Sequence, residues 1–184
     1  MTPLVVRTSR CGGIALGGHK AEPGAIVQIG AVIVPPDFTG DINNYTFWYE
    51  TSDARLAHAL QDFGVPARHV ERIDVDFEST GGAALFDVTV RRPGDPRLSL
   101  EGTVVESQAP SGSFTANWWR QAAAGSVKME TQVPEIMIGS ADLELTTSPQ
   151  GPLGQLIGGA LLGFPVLQQF NTFTQAALTV TIAP

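Results

Sequence analysis

The 184-residue chain is short of the residues that most catalytic and binding chemistries need. It has one cysteine, Cys11, which excludes an internal disulfide and a cysteine-rich zinc site. It has two lysines, Lys20 and Lys128, so a lysine nucleophile has two candidates. Charged residues make up 16% and the net charge is −7, against the clustered Lys and Arg of a nucleic-acid surface. No run of about 18 apolar residues occurs, so no membrane helix is expected. Arg7 and Arg10 precede only a weak GGIALGG stretch, a poor secretory leader, and a cytoplasmic location is expected. The histidines, His19, His58 and His69, lack metal-ligand spacing, and no nucleophile elbow, phosphate loop or dinucleotide fingerprint is present. No metal and no cofactor is expected.

What the chain does have is apolar and strand-forming, with a hydrophobic fraction of 43% that can bury a core. Residues 1–24 are rich in Gly and Arg without a clear period and are expected to be irregular. AIVQIGAVIVPP (25–36) reads as a buried strand ended by two prolines, and NNYTFWYE (43–50) as an aromatic strand. TSDARLAHALQDFG (51–64) reads as a helix capped by Thr51, Ser52 or Asp53, with Leu56, Leu60 and Phe63 at helical spacing. Gly64 and Pro66 stop it. HVERIDVDFES, ALFDVTVRR and RLSLEGTVVES alternate as an antiparallel meander, joined by turns at Gly81-Gly82 and PGDP. Residues 106–113 read as a loop, SVKMETQV and EIMIGSADLELTT as two strands, residues 148–170 as a Gly- and Pro-punctuated stretch with a short helix, and NTFTQAALTVTIAP as a closing strand. The expected fold is a single α+β domain over 1–184, mostly β, with one or two short helices.

Several segments in order, QIGAVIVPPDFTGD, NNYTFWYETSDARLAHALQDFGVP, FDVTVRRPGDPRLSLEGTV and GSADLELTTSPQGPLGQL, resemble the acetoacetate decarboxylase family over roughly residues 25–184. The resemblance implies a cone-shaped antiparallel β-barrel around an apolar pocket. It also implies oligomeric assembly, so a homo-oligomer is expected. In the family two adjacent lysines follow the Gly-x-Pro turn; the first forms a Schiff base and the second depresses its pKa. Here those places hold Ala67 and Arg68. A methyl group forms no imine. The family's catalytic glutamate on the preceding strand falls on Gln28, which hydrogen-bonds but does not titrate. Family members also have a longer N-terminal segment carrying an active-site arginine and a further glutamate, and neither Arg7 nor Arg10 aligns with that arginine.

These departures argue against Schiff-base decarboxylation. Lys128 falls on a strand face with Glu130, as in a surface ion pair, and Lys20 falls in a loop beside Glu22. The candidate catalytic residues are Gln28 to hold a carbonyl or hydroxyl, Arg68 to bind a carboxylate or polarise an enolate, and His69 as a general base. The candidate substrate-binding residues are Tyr45, Trp48, Glu50, Ala67, Asn117, Trp118 and Arg120. If Asn117–Arg120 is a strand, one of Trp118 and Trp119 faces in and one out. Asp74, Asp76 and Glu78 form a wet outer face. The expected function is an enzyme of secondary metabolism acting on a polyketide-like or β-keto small molecule without a covalent intermediate, by cyclisation (including pericyclic ring closure), dehydration or isomerisation. The alternatives are a non-catalytic small-molecule-binding protein of the same fold, a structural subunit of an oligomer, or a decarboxylase with a relocated lysine.

Overall fold

The computed structural model describes residues 3–79, 84–92, 95–159, 161–163 and 167–183. The chain is mostly β-strand with two short helices, and forms two compact units. The expected turn at Gly81-Gly82, and Pro93-Gly94 of the next turn, lie outside the described residues. Among the described residues no helix is long and apolar enough to cross a membrane.

The first unit holds the chain up to His69, Ser113–Glu135 and the segment from Thr174. Its strands include β1 (Leu4–Ile14), β2 (Glu22–Val32) and β3 (Ile42–Thr51), paired antiparallel in order. Residues 1–24 are therefore not irregular, because β1 and the start of β2 occupy much of them. Arg, Ser, Thr and Cys interrupt the apolar alternation of β1, and main-chain pairing with β2 makes it a strand regardless. Helix α1 (Ala54–Asp62) follows β3. Asp53 is its cap, accepting from the N–H groups of Arg55 and Leu56, and Leu56, Ala57 and Leu60 are its buried stripe. The helix ends where Gly64 takes φ +81° and the Val65 N–H returns to the Leu60 carbonyl at 3.1 Å. Pro66 then leads into β4 (Ala67–His69), which pairs parallel with β3.

β8 (Gly112–Ala122) also pairs parallel with β3, through Ile42–Tyr45, and β9 (Gly125–Thr147) follows it. β12 (Ala177–Ala183) pairs antiparallel with Ser126–Gln132 of β9. The core gathers Tyr49, Leu56, Leu60, Val65, Ala67, Trp118, Val127 and Met129. Gly30 is part of this packing. It follows the β2–β3 register shift, and a Cβ there would run into the Tyr45 carbonyl oxygen and sit 2.7 Å from the Trp118 ring. Gly30→Ala is expected to cost about 2 kcal/mol, read as a lower urea midpoint; an unchanged midpoint would refute the packing argument.

The second unit holds Val70–Gly112 and Ile136–Phe173. β5 (Arg72–Ser79), β6 (Ala84–Arg92), β7 (Asp95–Val105) and the later half of β9 pair antiparallel in sequence, the expected meander. β10 (Leu161–Gly163) and β11 (Gln169–Thr172) pair with β9, and α2 (Pro152–Ile157) is the short helix of the Gly/Pro-rich stretch. Ala84, Val104 and Leu143 form a small core cluster with Phe86, Ala141 and Phe170 against it. Phe170 stacks on Phe77 with centroids 5.6 Å apart and planes 6° from parallel.

The two strands expected on either side of Pro134 are one strand, β9. Pairing with β12 stops at Gln132, and pairing with β11 starts at Met137. Pro134 lies in the gap between them, where neither strand needs the N–H that proline lacks.

Candidate functional site

Register places four side chains in one row across the first unit. Arg7 on β1 pairs with Gln28 on β2, Gln28 with Tyr49 on β3, and Tyr49 with Ala67 on β4. Directly paired residues point to the same face of a sheet, so all four share the face that carries the Tyr49–Ala67–Trp118 core. Two residues from Gln28 on β2, the Trp118 ring lies over Gly30. Thr46 pairs with Gly30, and Asn44 pairs with Trp118. The Thr46 hydroxyl, the Asn44 Nδ2 and the Trp118 Nε1 are all buried without a hydrogen-bond partner.

Arg7 is the charged member of this band. Among the described residues its guanidinium has no hydrogen bond and no ion pair. Desolvation lowers the Arg7 pKa, with Tyr49 and Cys11 opposing it weakly. Arg7 nonetheless keeps part of its accessible surface. Burial pushes the Tyr49 hydroxyl well above the ordinary tyrosine value, so it stays neutral. Burial likewise raises the half-buried Cys11 thiol, with Arg7 opposing it, so Cys11 is no thiolate nucleophile. The band is rich in donors, carries one positive charge and has no carboxylate in the row. It suits an anionic or electron-rich oxygen.

The residues expected from sequence divide between two faces. Gln28, Ala67 and Trp118 are brought together on this band. Arg68, next along β4 from Ala67, points to the opposite face, is exposed and pairs in register with the buried Glu50. His69 is exposed at the end of β4, in register with Thr51. Trp48 pairs with Ile29, on the face away from Gln28, and its ring tilts against Phe47 at 5.9 Å. Arg120 lies 5.6 Å from the Tyr45 ring centroid and donates to the Thr46 carbonyl at 3.2 Å. Asn117 is fully buried and donates to the Thr39 carbonyl at 2.9 Å. Trp118 and Trp119 point to opposite faces, but both are buried, because Trp119 is also covered and donates to Asn43 Oδ1 at 2.9 Å.

Lys128 is held rather than free. Its Nζ lies 2.8 Å from Asp37 Oδ2, 2.7 Å from Glu130 Oε2 and 2.8 Å from Thr39 Oγ1. Desolvation pulls its pKa down, but the two carboxylates outweigh it and the pKa is raised. An amine nucleophile needs the reverse shift. Lys20 is exposed in a loop. Among the described residues no group of three or more His, Cys, Asp or Glu could hold a metal ion.

Sequence reasoning missed Arg7, Thr46 and Asn44. Arg7 was legible only as a lone cation after Val5 and Val6, in a stretch without a steady alternation. No family model matches the chain, and no curated protein matches it.

Proposed function

We propose that the chain is a small-molecule enzyme that acts on a polyketide-like or β-keto compound by non-covalent catalysis, on the scaffold of the cone-shaped barrel that its sequence resembles. The observation that carries this reading is the Arg7–Gln28–Tyr49–Ala67 row, which sets an unpaired cation beside a hydrogen-bonding amide and a methyl group. A β-dicarbonyl compound enolises readily, and the step that needs help is the appearance of negative charge on oxygen. Arg7 faces that oxygen with a fixed fork of donors in a desolvated setting, where charge stabilisation is strongest. Gln28 orients a second oxygen without exchanging a proton. Ala67, in the position the resemblance gives to the imine-forming lysine, offers no amine. Ring closure, dehydration or isomerisation fits such a site, because each is promoted by confining a reactive conformer and stabilising an enolate.

The lack of a carboxylate or histidine in the row gives weight to the second reading, a non-catalytic protein that binds the same class of compound. Turnover separates the two. Both exclude a covalent imine. The protein is to be treated with acetoacetate and borohydride and examined by mass spectrometry. Unmodified Lys20 and Lys128 are expected; a hydride-fixed adduct on either would replace this reading with a relocated Schiff-base mechanism.

A further inference from the structure

Among the described residues, the last strand of the first unit, β12, has a partner strand, β9, on one side alone. Natural edge strands are normally guarded by charge, proline or a bulge. β12, Ala177–Ala183, has none of these, and no residue after Glu144 carries a charged side chain. Val180 packs against the core cluster, and Leu178 and Ile182 alternate with it on the same face, yet they are 39% and 41% exposed. The apolar face of the sheet thus runs out to its edge uncovered.

The side chains of this edge read nearly the same in both directions about Val180, with Leu178 on one side answered by Ile182 on the other: Ala-Leu-Thr-Val-Thr-Ile-Ala. Antiparallel pairing of the strand with itself about that residue sets Val180 on Val180, Thr179 on Thr181, Leu178 on Ile182 and Ala177 on Ala183. Every pair then matches in size and polarity, apolar residues meet on the core face, and β-branched residues meet across the strands. An isologous two-fold contact requires this self-complementarity. We infer that β12 is a homodimer interface whose occupant is the β12 edge of a second copy, joining two sheets across a two-fold axis at Val180. The strand is short, so the contact is weak and depends on concentration.

Charge placed at Thr179 and Thr181 tests both the contact and its register, because both side chains are exposed and point away from the core face. Sedimentation is followed from roughly 1 to 100 µM, a range suited to a small interface. The unaltered protein is expected to shift from monomer to dimer. Thr179→Lys with Thr181→Lys sets lysine opposite lysine twice and is expected to raise the dissociation constant at least about tenfold. Thr179→Lys with Thr181→Glu sets opposite charges against each other and is expected to restore the dimer. Circular dichroism confirms that both variants fold. A monomer throughout the range overturns the inference. So does a Lys/Lys variant that associates like the unaltered protein, or a Lys/Glu variant that remains as monomeric as Lys/Lys.

Discussion

Arg7→Met is expected to make the protein more stable and less able to bind. The guanidinium is desolvated and, among the described residues, unpaired, so the fold bears its desolvation without a compensating contact. A methionine of similar length keeps the packing and removes that cost, a gain of about 1–2 kcal/mol. The same change removes the one positive charge of the row. Affinity for acetoacetate or acetylacetone, followed by NMR titration, is expected to fall roughly a hundredfold, the worth of a charge-assisted hydrogen-bonded pair. Arg7→Lys keeps the charge and loses the planar fork, so an intermediate loss is expected. Stability and binding moving in opposite directions is the mark of a residue kept for function. If Arg7→Met instead destabilises the protein and leaves any measured ligand affinity unchanged, Arg7 is a structural residue and the proposed site is wrong.

Asp53→Ala is expected to lower stability by about 3 kcal/mol, one of the largest losses from a single truncation outside the apolar core. The carboxylate is almost fully buried. Its Oδ1 accepts from the Arg55 N–H at 2.8 Å and the Leu56 N–H at 3.3 Å, and its Oδ2 from Arg55 Nη2 at 2.7 Å. Removing it uncaps α1, which carries Leu56 and Leu60 into the core, and releases the Arg55 side chain that also reaches the Lys20 and Ile14 carbonyls. Arg55 is a third exposed and keeps these other partners, so the ion pair contributes less than a fully buried one.

The pH dependence follows from the same contacts. The hydrogen bond from Arg55 comes first among the causes that hold the Asp53 pKa below its ordinary value; desolvation opposes it, and the helix N–H groups add to it. A carboxyl whose folded pKa is depressed stabilises fully above its unfolded value, near about 3.9, and loses that contribution as pH falls through the folded pKa. The stability gap between the unaltered protein and Asp53→Asn is therefore expected to be widest near neutrality and to close below about pH 4. A gap that stays constant down to acid unfolding would show that the charge on Asp53 contributes nothing.

Much of the fold was legible where one local rule decided the outcome. Strict alternation marked β5–β7, an Asx cap followed by a helical apolar stripe marked α1, and Gly64 before Pro66 marked its end. Two features escaped. β1 is made by its partner strand and not by its own pattern, and β9 runs through a proline whose missing donor falls in a gap between two partner strands. The site was half legible. Gln28 and Ala67 were singled out only because the segments that carry them resemble those of a known family. Arg7 was not, since only register reveals that it stands beside Gln28. Alternation along β4 turns Arg68 away from Ala67, and neighbours in sequence became opposites in space.

The first unit is assembled from three stretches of chain, and this orders its making. β3 finds its parallel partner only when β8 exists; the contact from Trp119 Nε1 to Asn43 Oδ1 spans 76 positions. β12 comes later still. During synthesis the nascent α1 and β1–β3 emerge with an apolar face that must wait, through all of Val70–Gly112 and Ile136–Phe173, for the strands that complete it. Closure of such distant contacts is intrinsically slow, and the waiting surface is the kind that chaperones hold. The protein is thus expected to depend on the pace of translation and on holdase capacity more than a chain of equal length with a continuous first domain.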